Sequence, residues 1–145
     1  MQEKIVEIKS YSTEIYQLVR GLLAQLSPKR APLSEESFRA ILDAANTHLF
    51  VLYHAEDTPV GMLSVGFCHT PSGHKAWIED VVVDAAYRGY GYGKKIVEHA
   101  IAFIRASEAD SISLTTNSSR IAANHLYVLL GFEKYETNVY RMYLP

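Results

Sequence analysis

The sequence predicts a mixed α/β domain that spans residues 1–145, with elements in the order β-α-α-β-β-β-α-β-α-β-β. Two observations predict this class. Short apolar segments with the character of strands alternate with longer segments in which apolar residues recur every three or four positions. The chain has 145 residues, 48% of them hydrophobic, which is enough for one core and gives no reason to expect a second domain.

The N-terminal part is predicted to form one strand and two helices. Residues 3–9 have the composition of a strand, and Ser12 or Thr13 can cap the helix that follows. The apolar residues of this helix form one wide stripe, which indicates packing against a sheet. The stripe consists of Ile15, Leu18, Val19, Leu22, Leu23 and Leu26. After a short loop, Ser34 can cap a second helix that closes near Asn46.

The middle of the chain is predicted to form three strands and a helix. Residues 48–54 and 60–67 are separated by Ala-Glu-Asp-Thr-Pro, which is typical of a turn, so these two segments should pair antiparallel. Residues 77–83 form the strand before a glycine-rich loop, and a helix over residues 94–106 follows that loop.

The C-terminal part is predicted to add three strands and one helix. Residues 112–116 alternate as a strand, and residues 120–130 have a helical pattern. Residues 132–136 and 139–144 then offer a closing hairpin.

Composition excludes several classes of partner and location. The net charge of -2 gives no general attraction to nucleic acid. Charged residues or glycines interrupt every apolar stretch, so no membrane span is expected. Cys68 is the single cysteine and is expected to be a buried strand residue without activation. No secretory signal pattern opens the sequence, and a cytoplasmic protein is therefore expected.

Three alternating glycines follow the strand at residues 77–83. Gly89, Gly91 and Gly93 permit positive φ and close backbone approach, so successive N–H groups can converge on one anion beside the positive end of the next helix. This arrangement suits a phosphate or a pyrophosphate. The P-loop pattern fails because Arg88 and Lys95 stand where it requires glycine and Ser or Thr, and the Rossmann pattern lacks its third glycine.

The segment Arg88-x-x-Gly91-x-Gly93 resembles the acetyl-CoA pyrophosphate loop of the GNAT superfamily of N-acetyltransferases. A second GNAT signature follows at the correct distance, in Leu126-Tyr127-Val128-Leu129-Leu130-Gly131-Phe132. The resemblance covers essentially the whole chain. It implies a central mixed, mostly antiparallel sheet of six to seven strands flanked by four helices, and an enzyme that uses acetyl-CoA as a cosubstrate.

The resemblance also implies a binding site for acetyl-CoA. The strand before the loop should splay from the next strand so that pantetheine inserts between them, and a β-bulge is expected at Asp84 and Ala85. One departure is that Arg120 stands where many members have Asn, and Asn124 replaces a histidine found in a variant of the motif. The implied cofactor-binding residues are Val81, Val82, Val83, Arg88, Gly89, Tyr90, Gly91, Tyr92, Gly93, Lys94, Asn117, Asn124 and Tyr127.

By the same resemblance, Tyr127 is the general acid that protonates the leaving thiolate. Attack on the thioester needs a neutral amine, and Glu79 is the expected base. The run Ile78-Glu79-Asp80 resembles the corresponding strand of glucosamine-phosphate N-acetyltransferases. The backbone near Val82 is expected to stabilise the oxyanion. Strand alternation would group Glu79 with Val81 and Val83 and place Asp80 on the opposite face. Asp80 remains an alternative base, as do three histidines. Those histidines are His69, His74 and His125, and no metal site is expected from them.

The expected acceptor is a primary amine of a small molecule, to which the acetyl group moves directly. Lys29 and Arg30 lie in a loop that borders the acceptor site in similar proteins, which makes an acidic or phosphorylated acceptor conceivable. The alternatives are acetylation of protein N-termini or lysines, and a binding module that senses acyl-CoA without turnover. Many proteins of this kind are dimers, so a homodimer is also expected.

Overall fold

The computed structural model describes residues 3–55 and 57–145. Glu56, in the predicted turn after residue 54, and the first two residues lie outside the described residues. The chain forms two compact units, residues 1–115 and residues 116–145. The first unit contains β1 (Lys4–Ile8), α1 (Thr13–Leu26), α2 (Glu35–Asp43), β2 (Thr47–Ala55), β3 (Thr58–Thr70), β4 (Gly73–Val83), a 3-10 turn (Ala85–Tyr87), α3 (Tyr92–Ala106) and β5 (Ser111–Ser113). The second contains α4 (Ile121–Leu129).

The sheet of the first unit has five strands in the order β1-β2-β3-β4-β5. Neighbouring strands are antiparallel except β4 and β5, which are parallel. The predicted class of a mixed, mostly antiparallel sheet with four helices is confirmed, with fewer strands than the six to seven expected. In the described chain, residues 132–145 belong to no strand, so the predicted closing hairpin is wrong. An alternating sequence becomes a strand only where an edge is available to pair with it.

Helices cover both faces of this sheet. On one face α1 and α2 bury a core that includes Phe38, Leu49, Met62 and Val82. On the other face α3 contacts β2, β3 and β4, and the Phe50 ring meets the Phe103 ring edge to face at a centroid distance of 5.0 Å. The apolar stripe predicted for α1 therefore does face the sheet.

The predicted helix caps are confirmed. The Ile15 N–H donates to the Ser12 hydroxyl oxygen at 3.1 Å, and the Ser37 N–H donates to the Ser34 hydroxyl oxygen at 3.0 Å. Each bond satisfies a donor that the first helical turn leaves without an intrahelical partner. The helix after the glycine loop begins at Tyr92, two residues earlier than the predicted Lys94.

Candidate functional site

β4 has an incomplete ladder on the side of β5. The two strands pair only from Lys75 opposite Ser111 to Trp77 opposite Ser113. β4 then continues to Val83, still paired with β3 on its other side. The β4–β5 ladder therefore ends at Trp77, and the β5-facing edge of β4 at Val81, Val82 and Val83 has no strand partner among the described residues. Backbone groups of an extended ligand could pair with this open edge.

A β-bulge lies inside β4, at Asp80 and Val81. Ser64 faces Glu79 and Met62 faces Val82, so two residues of β4 oppose the single residue between Met62 and Ser64. Asp80 has φ of +52°, a conformation that aspartate tolerates better than most residues. The bulge expected at Asp84 and Ala85 is thus displaced to an earlier position.

The bulge changes the grouping of side chains along β4. Directly opposed residues of an antiparallel pair project to the same face. Glu79 therefore shares a face with Val82 and Met62, and the expected grouping of Glu79 with Val81 and Val83 is wrong. Glu79 and Asp80 are both exposed.

The end of β4 is fixed by hydrogen bonds to its surroundings. The Asp84 N–H donates to the Val60 carbonyl at 2.7 Å, and an Asp84 carboxylate oxygen accepts the Ala86 N–H at 2.9 Å. From α1, the Gln25 side-chain oxygen accepts the Ala85 N–H at 2.9 Å. Gln25 was not predicted, because an exposed glutamine on a helix carries no sequence signal for such a contact.

The glycine loop begins directly after this hydrogen-bonded end of β4. Gly89 has φ of +89° and Gly91 has φ of +80°, as expected for glycines that turn the backbone sharply. A Cβ at either position would meet no heavy atom of the protein within 4 Å. Gly91 is the N-cap of α3 and provides no side-chain cap. The backbone therefore offers amide donors, free space and a positive helix end at one place, which fits a pyrophosphate.

The side chains of the loop divide into buried and exposed groups. The Tyr92 ring is buried and its hydroxyl hydrogen-bonds His54 Nδ1, so only the main chain of Tyr92 can serve a ligand. Tyr90 is exposed. Arg88 Nε donates to the Val83 carbonyl at 3.2 Å, which ties the loop back to β4. Lys95 pairs with Glu3, which makes the exposed Lys94 the better candidate for an anion contact.

In the second unit, α4 ends in a Schellman motif. The Phe132 N–H donates to the Tyr127 carbonyl at 3.0 Å and the Gly131 N–H to the Val128 carbonyl at 3.1 Å, while Gly131 has φ of +101°. The Tyr127 and Phe132 rings pack edge to face at 5.9 Å. The Tyr-x-x-x-Gly-Phe pattern is therefore a helix stop that holds the Tyr127 ring against Phe132.

Tyr127 is suited to hold a proton at neutral pH. The residue is 7% exposed. Burial raises the pKa of the phenol above its ordinary value, and the nearby positive charge of Arg120 opposes this increase only in part. The hydroxyl is therefore a neutral donor under physiological conditions.

The two asparagines among the implied cofactor-binding residues, Asn117 and Asn124, stabilise the start of α4. Asn124 Nδ2 donates to the Asn117 carbonyl at 3.0 Å and to the Arg120 carbonyl at 2.8 Å. The Asn117 side-chain oxygen accepts the Ser119 N–H at 2.9 Å. Sequence reasoning missed Thr116, whose buried hydroxyl has no hydrogen-bond partner in the described chain. Such a group is costly unless a ligand or water satisfies it.

The alternative bases His69 and His74 and the single cysteine lie in the first unit, whereas the third histidine, His125, lies in α4. His69 and His74 face each other across the β3–β4 hairpin, with parallel rings 4.0 Å apart. No group of three or more metal-binding side chains occurs among the described residues. Cys68 is exposed, so the expectation that it is buried is wrong. It lies near the end of β3, where the last residues of the strand are exposed.

A pocket of about 350 Å³ lies between α1 and the loop at residues 27–33. Arg20 and Arg30 both line it, and Gly21 leaves space where a Cβ would meet no atom within 4 Å. Arg30 from the loop and Arg20 from α1 thus line the same pocket. Two guanidinium groups favour an anionic ligand.

The family comparison matches most of the chain. The model of the Acetyltransferase (GNAT) family matches residues 14–132. The chain belongs to this family. The match includes both GNAT signatures, the glycine loop after β4 and the Schellman motif that ends α4. None of the helices in the described residues is long and apolar enough to cross a membrane.

Two curated relatives share parts of this GNAT chain. Glucosamine 6-phosphate N-acetyltransferase 1 of Oryza sativa subsp. japonica is 38% identical over an alignment of 96 positions, which covers 59% of this chain and 56% of the relative. N-alpha-acetyltransferase 30 of Saccharomyces cerevisiae is 36% identical over 70 residues, or 48% of this chain and 39% of the relative. The chain thus spans about half the length of the relatives it matches.

A solved structure with the same fold is an aminoglycoside acetyltransferase from an uncultured soil metagenomic sample, in complex with trehalose. It has a TM-score of 0.85 and 18% identity, with 99% of this chain and 96% of that chain covered. This likeness supports the GNAT fold over the full length.

Proposed function

We propose that this GNAT protein is an N-acetyltransferase that moves the acetyl group of acetyl-CoA directly to a primary amine of a small molecule. The observation that carries the proposal is the open edge of β4 leading into the glycine loop. An extended arm can pair with the edge, and a pyrophosphate can accept the amide hydrogens of the loop. Gly89 and Gly91 both have positive φ, and a Cβ at either would meet no protein atom within 4 Å. This free space leaves room for the pyrophosphate.

The proposed holding residues follow from this geometry. The main chain at Val81, Val82 and Val83 would bind the pantetheine arm, and the main chain of residues 88–94 would bind the pyrophosphate. Bound acetyl-CoA supplies an activated acetyl thioester. Asn117 and Asn124 would act mainly by positioning α4, because their hydrogen bonds are used within it.

Two side chains are proposed for proton transfer. Glu79 would accept the proton of the attacking amine at its carboxylate, while the Val82 backbone stabilises the oxyanion. Tyr127 would donate its phenolic proton to the departing sulfur. Burial of Tyr127 supports this role, because it keeps the phenol protonated at the pH where the reaction runs.

An anionic amine is the acceptor class that the structure favours. The rice relative is named for a phosphorylated amino sugar, and the pocket beside α1 has two arginines. The yeast relative is named for N-terminal acetylation, which makes protein acetylation the second candidate. The proposal also includes a cytoplasmic location and a homodimer, without nucleic-acid or membrane partners.

The test is an acetylation assay of the purified chain with three acceptors: glucosamine 6-phosphate, unphosphorylated glucosamine and a peptide with a free N-terminus. Release of coenzyme A thiol and mass spectrometry of the acceptor are both measured. We expect acetylated amino sugar, with the phosphorylated form preferred and the preference reduced by Arg30→Gln. Acetylation of the peptide alone would overturn the substrate class. Coenzyme A binding without turnover of any amine would favour a sensor.

A further inference from the structure

Gln25 on α1 joins the helix to the end of β4 through both polar atoms of its carboxamide. Its side-chain oxygen accepts the Ala85 N–H at 2.9 Å, and its Nε2 donates to a carboxylate oxygen of Asp84 at 3.4 Å. The longer of these two contacts is the weaker one. The other carboxylate oxygen of Asp84 accepts the Ala86 N–H. We call the contacts of Gln25 with Ala85 and Asp84 the Gln25 clamp.

The Gln25 clamp requires a carboxamide in one orientation. A backbone N–H needs an acceptor and a carboxylate needs a donor, and a glutamine side chain offers both. Methionine at this position would have a similar length but neither of these groups. Glutamate would offer acceptors alone and would place a second negative charge beside Asp84.

The clamp acts on the first turn of the segment that leads into the glycine loop. The 3-10 turn Ala85–Tyr87 begins directly after Asp84 and ends at Arg88. The first N–H groups of a helical turn have no partner within it. Asp84 satisfies one of them locally, and Gln25, 60 positions away in the chain, satisfies the other. The direction in which the chain leaves β4 therefore depends on α1.

The clamp lies at the surface, where Gln25 and Ala85 are both exposed. Water can replace an exposed hydrogen bond, so its loss has little effect on the stability of a fold. Binding of a ligand is more sensitive, because several amide donors must converge on one anion. A small misplacement of groups that hold a substrate can already reduce the rate strongly. Loss of the clamp should therefore affect ligand binding more than folding.

We propose that Gln25 is a positioning residue for the pyrophosphate site. It acts through Ala85 and Asp84, which set the start of the turn before the glycine loop. The inference rests on the proposed function, because it assumes that the main chain of residues 88–94 binds the pyrophosphate of acetyl-CoA. Gln25→Met should weaken coenzyme A binding about fivefold, the factor to which the loss of one typical hydrogen bond corresponds.

The first test exchanges the two polar groups of the clamp and measures coenzyme A affinity by calorimetry. Gln25→Glu alone brings two carboxylates together and should weaken binding about fivefold. Addition of Asp84→Asn should restore affinity to within about twofold of the wild type, because the new carboxylate accepts the Ala85 N–H and the new carboxamide donates to it. The control adds Asp84→Asn to Gln25→Met, which removes the same charge but cannot rebuild the clamp. Equal recovery in both backgrounds, or none in either, would overturn the proposal.

The second test measures the turn itself without any ligand. Amide hydrogen exchange at Ala85 should become about fivefold faster in Gln25→Met and return to the wild-type rate in Gln25→Glu combined with Asp84→Asn. The melting temperature of Gln25→Met should fall by only about 2 °C or less. Asp110→Ala is the matched control, because it removes a side-chain acceptor from the His74 N–H at the other end of β4. Its Ala85 exchange and its coenzyme A affinity should remain within about twofold of the wild type.

The outcomes separate this inference from the proposed function. A wild-type protein without affinity for coenzyme A would overturn the proposed function and the positioning role with it. A wild-type protein that binds coenzyme A, beside a Gln25→Met protein that binds it equally well, would overturn the positioning role alone. Unchanged Ala85 exchange in Gln25→Met would also overturn it.

Discussion

Replacement of Gly91 by alanine separates the ligand-binding role of the loop from its structural role. Gly91 has φ of +80°, and an added Cβ would meet no heavy atom of the protein within 4 Å. The substitution should therefore cost about 1–2 kcal/mol of stability through backbone strain alone. The methyl group would occupy the space in which we place the pyrophosphate. Coenzyme A affinity should then fall by at least tenfold, which corresponds to about 1.4 kcal/mol of binding free energy.

Isothermal titration calorimetry with coenzyme A measures the loss of affinity, and thermal unfolding measures the cost in stability. Gly131→Ala is the matched control, since Gly131 also has positive φ and equally open space for a Cβ, but lies in the Schellman motif of α4. It should lose similar stability and keep its affinity within about twofold. A folded Gly91→Ala protein that binds coenzyme A as tightly as the wild type would refute the assignment of the loop.

Four further predictions concern catalysis and stability. Tyr127→Phe should lower kcat by about 100-fold with unchanged coenzyme A affinity, because it removes only the proton donor; unchanged steady-state kinetics would exclude this role. Glu79→Gln should lower kcat more than Asp80→Asn at neutral pH, and the reverse order would make Asp80 the base. Gly21→Ala should raise the unfolding free energy by about 0.5–1 kcal/mol in urea titrations, because Gly21 lies inside α1 with free space around it; a loss of stability would contradict this. Burial raises the pKa of Tyr127 and of Tyr53. At high pH the folded state therefore keeps protons on these phenols that the unfolded chain releases. The free energy of unfolding should fall as the pH rises beyond about 10. Replacing both tyrosines by phenylalanine should flatten that decline in urea titrations at increasing pH.

The glycine loop and the end of α4 could be predicted because their backbone conformation depends on residue type. Gly89, Gly91 and Gly131 all have positive φ, which glycine adopts at little cost. The Gly131-Phe132 pair after a helix likewise indicates a Schellman stop. The backbone conformation at both signatures therefore follows from the residue types of this chain alone, without reference to the family.

The bulge in β4 could not be predicted from the alternation of residues. Asp80 takes positive φ although its residue type permits ordinary strand geometry equally well. The extra residue changes which side chains share a face, and so the predicted neighbours of Glu79 were wrong. The hydrogen bond from Ala85 to Gln25 was also beyond prediction, because it joins residues 60 positions apart.

The closing hairpin was overpredicted for a different reason. Alternating apolar residues show that a segment can be a strand, but not which edge it pairs with. In residues 139–144 the pattern is clear and no strand forms within the described chain.

Backbone amide chemical shifts during titration with acetyl-CoA test the central claim most directly. They report individually on the amides that we assign to the arm and to the pyrophosphate. The largest changes should occur at Val81, Val83 and residues 89–94, with smaller changes in β1 and β2. A folded protein whose amides in these segments do not respond to acetyl-CoA would contradict the account.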